Sequence, residues 1–233
     1  MISPVPIPLI VGLSRTIVGA LVVAVLAYAY RLDVAAGDGN PFDYFGYFTN
    51  QTSLVMSFLL IATGVITIIE PRAPDWLSSA RGAGTVYLLV VAVIYNVLVP
   101  GTGSAPPWVS TVLHVAFPAI AVLDWLLVND RRPLPWRRLW IVLPYPLVWL
   151  LVVLARGATD GWVPYGFLLP ENGSLSLTLH ISGLLCALIA AGALVWWASR
   201  LSIFPLSRPQ PRALEHPCRE SRRARDAASR DVR

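Results

Sequence analysis

The chain has 233 residues, of which 56% are hydrophobic and only 13% charged, with a mean hydropathy of +0.63. That balance excludes an ordinary soluble domain, where about a quarter of residues are charged, and indicates an integral membrane protein. The net charge of +5 and the pI of about 9.6 are also seen in nucleic-acid-binding proteins. Here the excess sits in short loops and a tail, where it orients helices in a bilayer, so no nucleic-acid partner is expected.

A spanning helix needs about 20 mostly apolar residues. Six runs approach that length, at residues 8–30, 48–69, 85–99, 108–128, 139–155 and 175–197. The expected fold class is all-α: a polytopic membrane domain over 1–203 with six transmembrane helices, then a basic disordered tail over 204–233. Residues 5–13 lengthen the first run to spanning size, so it reads as a helix rather than a cleaved leader. Arg15 within it is expected to snorkel to the interface or to pair with an acid. The third and fifth runs are short, so their helices must take in flanking residues or thin the bilayer.

All 18 basic residues are arginine. Arg72 and Arg81 fall between the second and third runs, and Arg131, Arg132, Arg137 and Arg138 between the fourth and fifth. The tail from Arg200 onward holds the rest of the excess. The alternate loops carry Arg31 and Arg156 against Asp33, Asp38, Asp43, Asp160 and Glu171. By the positive-inside rule both termini are cytoplasmic in a multi-pass cell-membrane protein. Membrane lipids are its expected partners; the oligomeric state is not encoded in any pattern of the sequence.

Polar residues inside an apolar bundle carry the functional signal, because lipid tolerates them only when they are paired or line a cavity. The second helix opens Tyr47-Phe-Thr-Asn-Gln-Thr-Ser-Leu54, and Thr49, Thr52, Ser53 and Met56 share one of its faces. Tyr95 and Asn96 lie near the outer end of the third helix. His114 lies about two turns, roughly 10 Å, into the fourth helix, and His180 is similarly placed in the sixth. Four helices thus bring polar groups to one outer-leaflet layer. A threonine hydroxyl becomes a nucleophile only beside a base, and neutral histidine is the natural base at pH 7. The alternative for Thr49 to Ser53 is helix capping, and for a lone membrane histidine an interhelical hydrogen bond. The catalytic reading requires Thr49 and His114 to lie within hydrogen-bond reach, directly or through one water.

Three segments together carry a resemblance: YFTNQTSL at 47–54, LHVAFPAIAVLDWLL at 113–127 and YPLVWLLVVLARGATDGWVPYGFL at 145–168. In order and spacing the chain resembles, over about residues 10–198, bacterial members of the androgen-induced protein family, which includes the androgen-dependent regulator of tissue factor pathway inhibitor. The resemblance implies a six-helix membrane hydrolase of fatty acid esters of hydroxy fatty acids. It implies Thr49 as nucleophile and His114 as base. The polar continuation after Thr49 and the Val-Ala-Phe-Pro after His114 depart from the family pattern.

Asn96 and Tyr95 are candidate donors to the oxyanion, and Asn50, Ser53, His180 and Arg156 candidate substrate-binding residues. Arg156 has the fork geometry that suits a fatty carboxylate; its alternatives are pairing with Asp160 or snorkelling. The glycines and Pro164 of the segment 156–168 forbid a regular helix and predict a short lid-like connection. Asp124 reads as a structural acid paired with Arg131, Arg15 or Arg81. Cys186 in the last helix and Cys218 in the tail do not suit a disulfide, and no metal-ligand spacing or cofactor motif is present. Two functions follow: a lipid-ester hydrolase, or a non-enzymatic carrier or binder of a small amphiphile using the same outer-leaflet cavity. No internal repeat supports a secondary transporter.

Overall fold

A computed structural model of the protein describes residues 6–70, 73–101, 103 and 105–201, together with the backbone of 204–205. Its helices are α1 (Ile7–Ala35), α2 (Pro41–Tyr44), α3 (Phe48–Ile69), α4 (Asp75–Leu98), α5 (Pro107–Thr111), α6 (Phe117–Leu127), α7 (Pro144–Thr159) and α8 (Ser174–Ala198). A π turn, Val112–Ala116, joins α5 to α6, and a 3-10 segment, Trp136–Val142, leads into α7. Among the described residues six helices are long and apolar enough to cross a membrane. The chain is an all-α polytopic membrane protein; a parallel bridge of two residues, Val128–Asn129 against Phe204–Pro205, does not alter that class. The tail beyond residue 205, with His216 and Cys218, lies outside the described residues, as does Arg72.

The helices differ from the apolar runs mainly where burial comes from pairing rather than from apolar side chains. α4 begins at Asp75, well ahead of residue 85, because Ser78, Ser79 and Arg81 are buried in its first turns. The fifth span borrows Trp136–Val142. α7 runs through Gly157 to Thr159 before the chain breaks.

Small residues let α1 lie directly on α3. A Cβ added to Gly12 would come 2.6 Å from the Gly64 carbonyl oxygen, and one added to Gly19 2.6 Å from that of Ser57. Close backbone approach of this kind is how helices pack where lipid removes the hydrophobic drive between them. Leu147, Val148, Leu151 and Val152 on α7 and Ile10, Leu13, Ile17 and Leu21 on α1 are exposed, which is the arrangement expected of lipid-facing stripes.

At one end of the bundle Arg15, Arg81, Asp124 and Asp130 form a buried ionic cluster. Arg15 Nε donates to Asp124 at 2.7 Å, and Arg15 Nη1 donates to Asp130 at 2.6 Å and to the Thr67 hydroxyl at 3.0 Å. Arg81 Nη1 donates to Asp130 at 3.0 Å. Asp124 therefore pairs with Arg15, as the first helix crosses it; Arg131 instead stacks on Trp125, 3.9 Å from the ring centre, and donates to the Val128 and Trp125 carbonyls at the end of α6. Thr49 begins α3 while Thr67 lies near its far end, about 27 Å away at 1.5 Å per residue. The ionic cluster and the Thr49 region therefore occupy opposite ends.

Candidate active site

The start of α3 is held by aromatic packing. Phe48 lies 5.0 Å from the Trp149 ring and 5.7 Å from that of Tyr145, and Trp149 Nε1 donates to the Gly46 carbonyl at 2.8 Å. Gly46 has no room for a side chain: a Cβ there would sit 2.1 Å from Trp162 Cη2. No side chain caps the helix, and Tyr47 precedes it in extended geometry. The polar residues that read as a cap do other work. Asn50 Nδ2 donates to the Tyr44 carbonyl at 2.8 Å, Gln51 Nε2 to the Phe45 carbonyl, and the Tyr145 hydroxyl to Gln51 Oε1 at 2.7 Å. They strap the preceding turn onto α3 and leave Thr49 as the buried hydroxyl at the cavity wall.

Thr49 and His114, 65 residues apart, meet: Oγ1 lies 3.4 Å from Nε2. This is at the long end of the hydrogen-bond range. The sequence around His114 explains its position. Pro118 has no N–H, and its ring would clash with the carbonyl four residues earlier, which is that of His114. The helix widens into the π turn, where the Phe117 N–H reaches the Val112 carbonyl. Asn96 Nδ2 then donates to the freed His114 carbonyl at 3.4 Å and to the Ala92 carbonyl at 2.7 Å.

His114 Nδ1 lies 2.9 Å from the Ser110 carbonyl. A carbonyl only accepts, so Nδ1 carries the proton and Nε2 is left as the acceptor facing Thr49. Tyr95 stacks on the imidazole at 3.5 Å between centres, 12° from parallel. Its hydroxyl is 2.6 Å from Ser110 Oγ and accepts the Gly101 N–H at 3.2 Å. Tyr95 and Asn96 are thus occupied in holding the histidine.

The group that faces Thr49 from the other side is Tyr165, brought in by the segment after α7. It lines both cavities beside Thr49, with its hydroxyl near the start of α3. Burial raises its pKa, against the lowering effect of the groups there, so the phenol keeps its proton and remains a donor. Ser110 and Tyr165 were not singled out by sequence reasoning. Ser110 had a signal, lying one turn before His114 on the same face; Tyr165 belongs to the segment 156–168 expected as a lid-like connection, and only its place beside Thr49 was missed.

Thr49, Tyr95, Val99 and Tyr165 line two cavities at once. One is a polar vestibule of about 600 Å³ that also includes Asp33, Asn50, Ser110 and His114. The other is a narrow apolar groove of about 80 Å³ between α4, α7 and α8, walled by Val91, Ile94, Leu150, Leu184 and Leu188. Three other candidates lie outside this arrangement. Ser53 is fully buried and lines neither cavity. His180 meets Ser176 and stacks on Phe167 at 5.6 Å, away from Thr49. Arg156 is held by Asp43 at 2.7 Å and Asp160 at 2.8 Å and covers Trp162 at 4.2 Å, so its fork is already filled by two carboxylates.

Among the described residues no group of three or more His, Cys, Asp or Glu side chains is placed to hold a metal ion. The fold and the pair together define a six-span all-α membrane protein with a hydroxyl and an imidazole facing an internal cavity. No protein-family model, curated protein or solved structure matches the chain.

Proposed function

We propose that this protein is an intramembrane lipid-ester hydrolase in the cell membrane, with both termini cytoplasmic and its catalytic pair in the outer leaflet. One observation carries the reading. Thr49 Oγ1 and His114 Nε2 stand 3.4 Å apart where a polar vestibule meets an apolar groove, the boundary at which an ester bond sits in an amphiphile. The arginine distribution supports the orientation. The resemblance to the androgen-induced family supports both residues and a fatty-acyl ester as the substrate class.

In this mechanism Thr49 Oγ1 attacks the acyl carbonyl as Nε2 takes its proton. The carbonyl π electrons move to oxygen, and the Tyr165 hydroxyl donates to the resulting oxyanion. The carbon–oxygen bond to the alcohol then breaks, with the proton on Nε2 passing to the departing alkoxide. Water, deprotonated by the same nitrogen, attacks the acyl-threonine, releases the fatty acid and returns the proton to Thr49. The reading to be separated from this is a carrier that holds an amphiphile in the same two cavities without chemistry.

A fluorophosphonate probe applied to detergent-solubilised protein separates the two. Labelling is expected in the wild type and lost in Thr49→Ala and His114→Ala, in parallel with hydrolysis of a fatty-acyl ester. Labelling that persists in Thr49→Ala would sink the nucleophile. Saturable amphiphile binding without labelling or turnover would favour the carrier.

A further inference from the structure

We propose that the vestibule accepts a neutral or cationic polar end and that Asp33 is a specificity-determining residue that disfavours an ester bearing a free carboxylate. The proposal rests on the hydrolase reading for its site, but selectivity belongs to the cavity and reads out in binding alone. It departs from what the family resemblance implies, since an ester of a hydroxy fatty acid carries a carboxylate.

The cavity wall carries the argument. Among its described lining residues Asp33 is the one acidic or arginine side chain. The half-buried Asp33 takes part in none of the described ion pairs. No described arginine lines the vestibule to offset it. Arg31, two residues away on α1, is exposed and lines neither cavity. Arg156 is engaged by Asp43 and Asp160. The remaining polar wall is uncharged, formed by Tyr44, Tyr47, Asn50, Asn96 and Ser110 with His114.

The negative field extends beyond one residue. Tyr47 lines the vestibule; burial raises its phenol, and Asp38, Asp33 and Asp43 each raise it further. A second anion entering this space meets repulsion that the low-dielectric walls screen poorly. The adjoining groove is the more apolar of the two cavities, which favours an amphiphile with its chain toward α4, α7 and α8 and its polar end in the vestibule that Asp33 lines.

The test compares three palmitoyl esters that differ in the charge of the alcohol half: palmitoylcholine, 1-palmitoylglycerol and palmitoylglycolate. Each displaces a fluorescent monoacylglycerol from Thr49→Ala protein in neutral detergent at low salt. Palmitoylcholine is expected to bind roughly ten-fold more tightly than palmitoylglycolate, the size of a modest charge effect at a part-solvated site. Adding Asp33→Asn should shrink that ratio to a few-fold at most, Asp33→Arg should invert it, and the exposed control Arg31→Gln should leave it in place. High salt should compress the ratio without any change at Asp33, which keeps the test decisive if an Asp33 variant misfolds. Comparing ratios between variants cancels differences in micelle partitioning.

A ratio insensitive to salt and to both Asp33 variants, or a wild-type preference for palmitoylglycolate, would overturn the proposal. If the ratio holds but protein with Thr49 intact hydrolyses none of the three, the hydrolase reading falls and this one stands. If Thr49-dependent hydrolysis consumes the anionic ester as fast as the cationic one, the reverse is true. Absence of binding by all three would overturn both.

Discussion

A histidine has two ring nitrogens, and which one holds the proton decides whether His114 can serve as a base. The Ser110 carbonyl settles that by accepting from Nδ1, while the Tyr95 ring and the Ser110 hydroxyl limit how the imidazole turns. Ser110→Ala keeps the backbone carbonyl and loses the hydroxyl, so the tautomer survives and the orientation loosens. A fall in kcat of roughly three- to ten-fold with little change in KM is expected, below the hundred-fold scale typical of lost catalytic acid–base groups. Tyr165→Phe removes a phenol that lines both cavities beside Thr49 and that the proposed mechanism uses as the oxyanion donor. It should lower kcat about 100-fold, or about 2.7 kcal/mol, with KM nearly unchanged. Because burial raises the Tyr165 phenol, it stays protonated past the ordinary tyrosine value of about 10. Activity should therefore show no alkaline decline from this group below that pH. The polar layer and its two intramembrane histidines were legible from the topology, and the family resemblance singled out Thr49 with His114 among them. The supports of that pair were not legible, because the Tyr95 stack and the placing of Tyr165 beside Thr49 join residues whose separation in sequence has no period.

Helix α3 carries Thr49, and α1 fixes its position along nearly its full length. Gly64 shows how close that packing is: an added Cβ would lie 2.5 Å from Thr16 Oγ1 and 2.6 Å from the Gly12 carbonyl oxygen. Gly64→Ala must part the two backbones, at a cost of about 1–3 kcal/mol, read as a lower unfolding temperature in detergent. Gly183→Ala is the control, since nothing lies within 4 Å of its added Cβ and alanine favours a helix over glycine. The same element scale shows what apolar periodicity can and cannot find. Runs such as 48–69 mark a span directly, because lipid demands continuous apolar surface. The start of α4 escapes that logic, since Arg81 is 0% exposed through pairing with a residue 49 positions away. The π turn at His114 has a local cause in Pro118, so it could have been anticipated from the departure Val-Ala-Phe-Pro.

Across the whole molecule, the cavities and the buried ionic cluster are placed at opposite ends. The end holding Thr49 has cavities, while the far end is closed by Arg15, Arg81, Asp124 and Asp130, two charges of each sign drawn from α1, α4, α6 and the loop after it. Burial alone would raise the Asp130 carboxyl; Arg81 and then Arg15 overcome that and hold it well below the usual carboxylate range. A carboxyl depressed in the folded state contributes its full stability above its unfolded value, about 3.9, and loses it as pH falls from there toward the folded value. Unfolding temperature should therefore change little from pH 7 to about pH 5 and decline below pH 4. Asp130→Asn leaves two buried guanidinium groups with one remaining acid between them, a loss of about 3–5 kcal/mol, or on the order of 10 °C for a chain of this size. It should also flatten the acid decline, since the titrating group is gone. The pair replacement Arg81→Met with Asp130→Leu removes both charges together and should be less damaging than Asp130→Asn, because the larger cost lies in an unpaired buried charge rather than in the absence of a pair. Thermal unfolding of the three proteins between pH 3 and pH 7 decides this. If the double variant is the least stable, the cluster contributes net stability and the opposing end of the bundle depends on it directly.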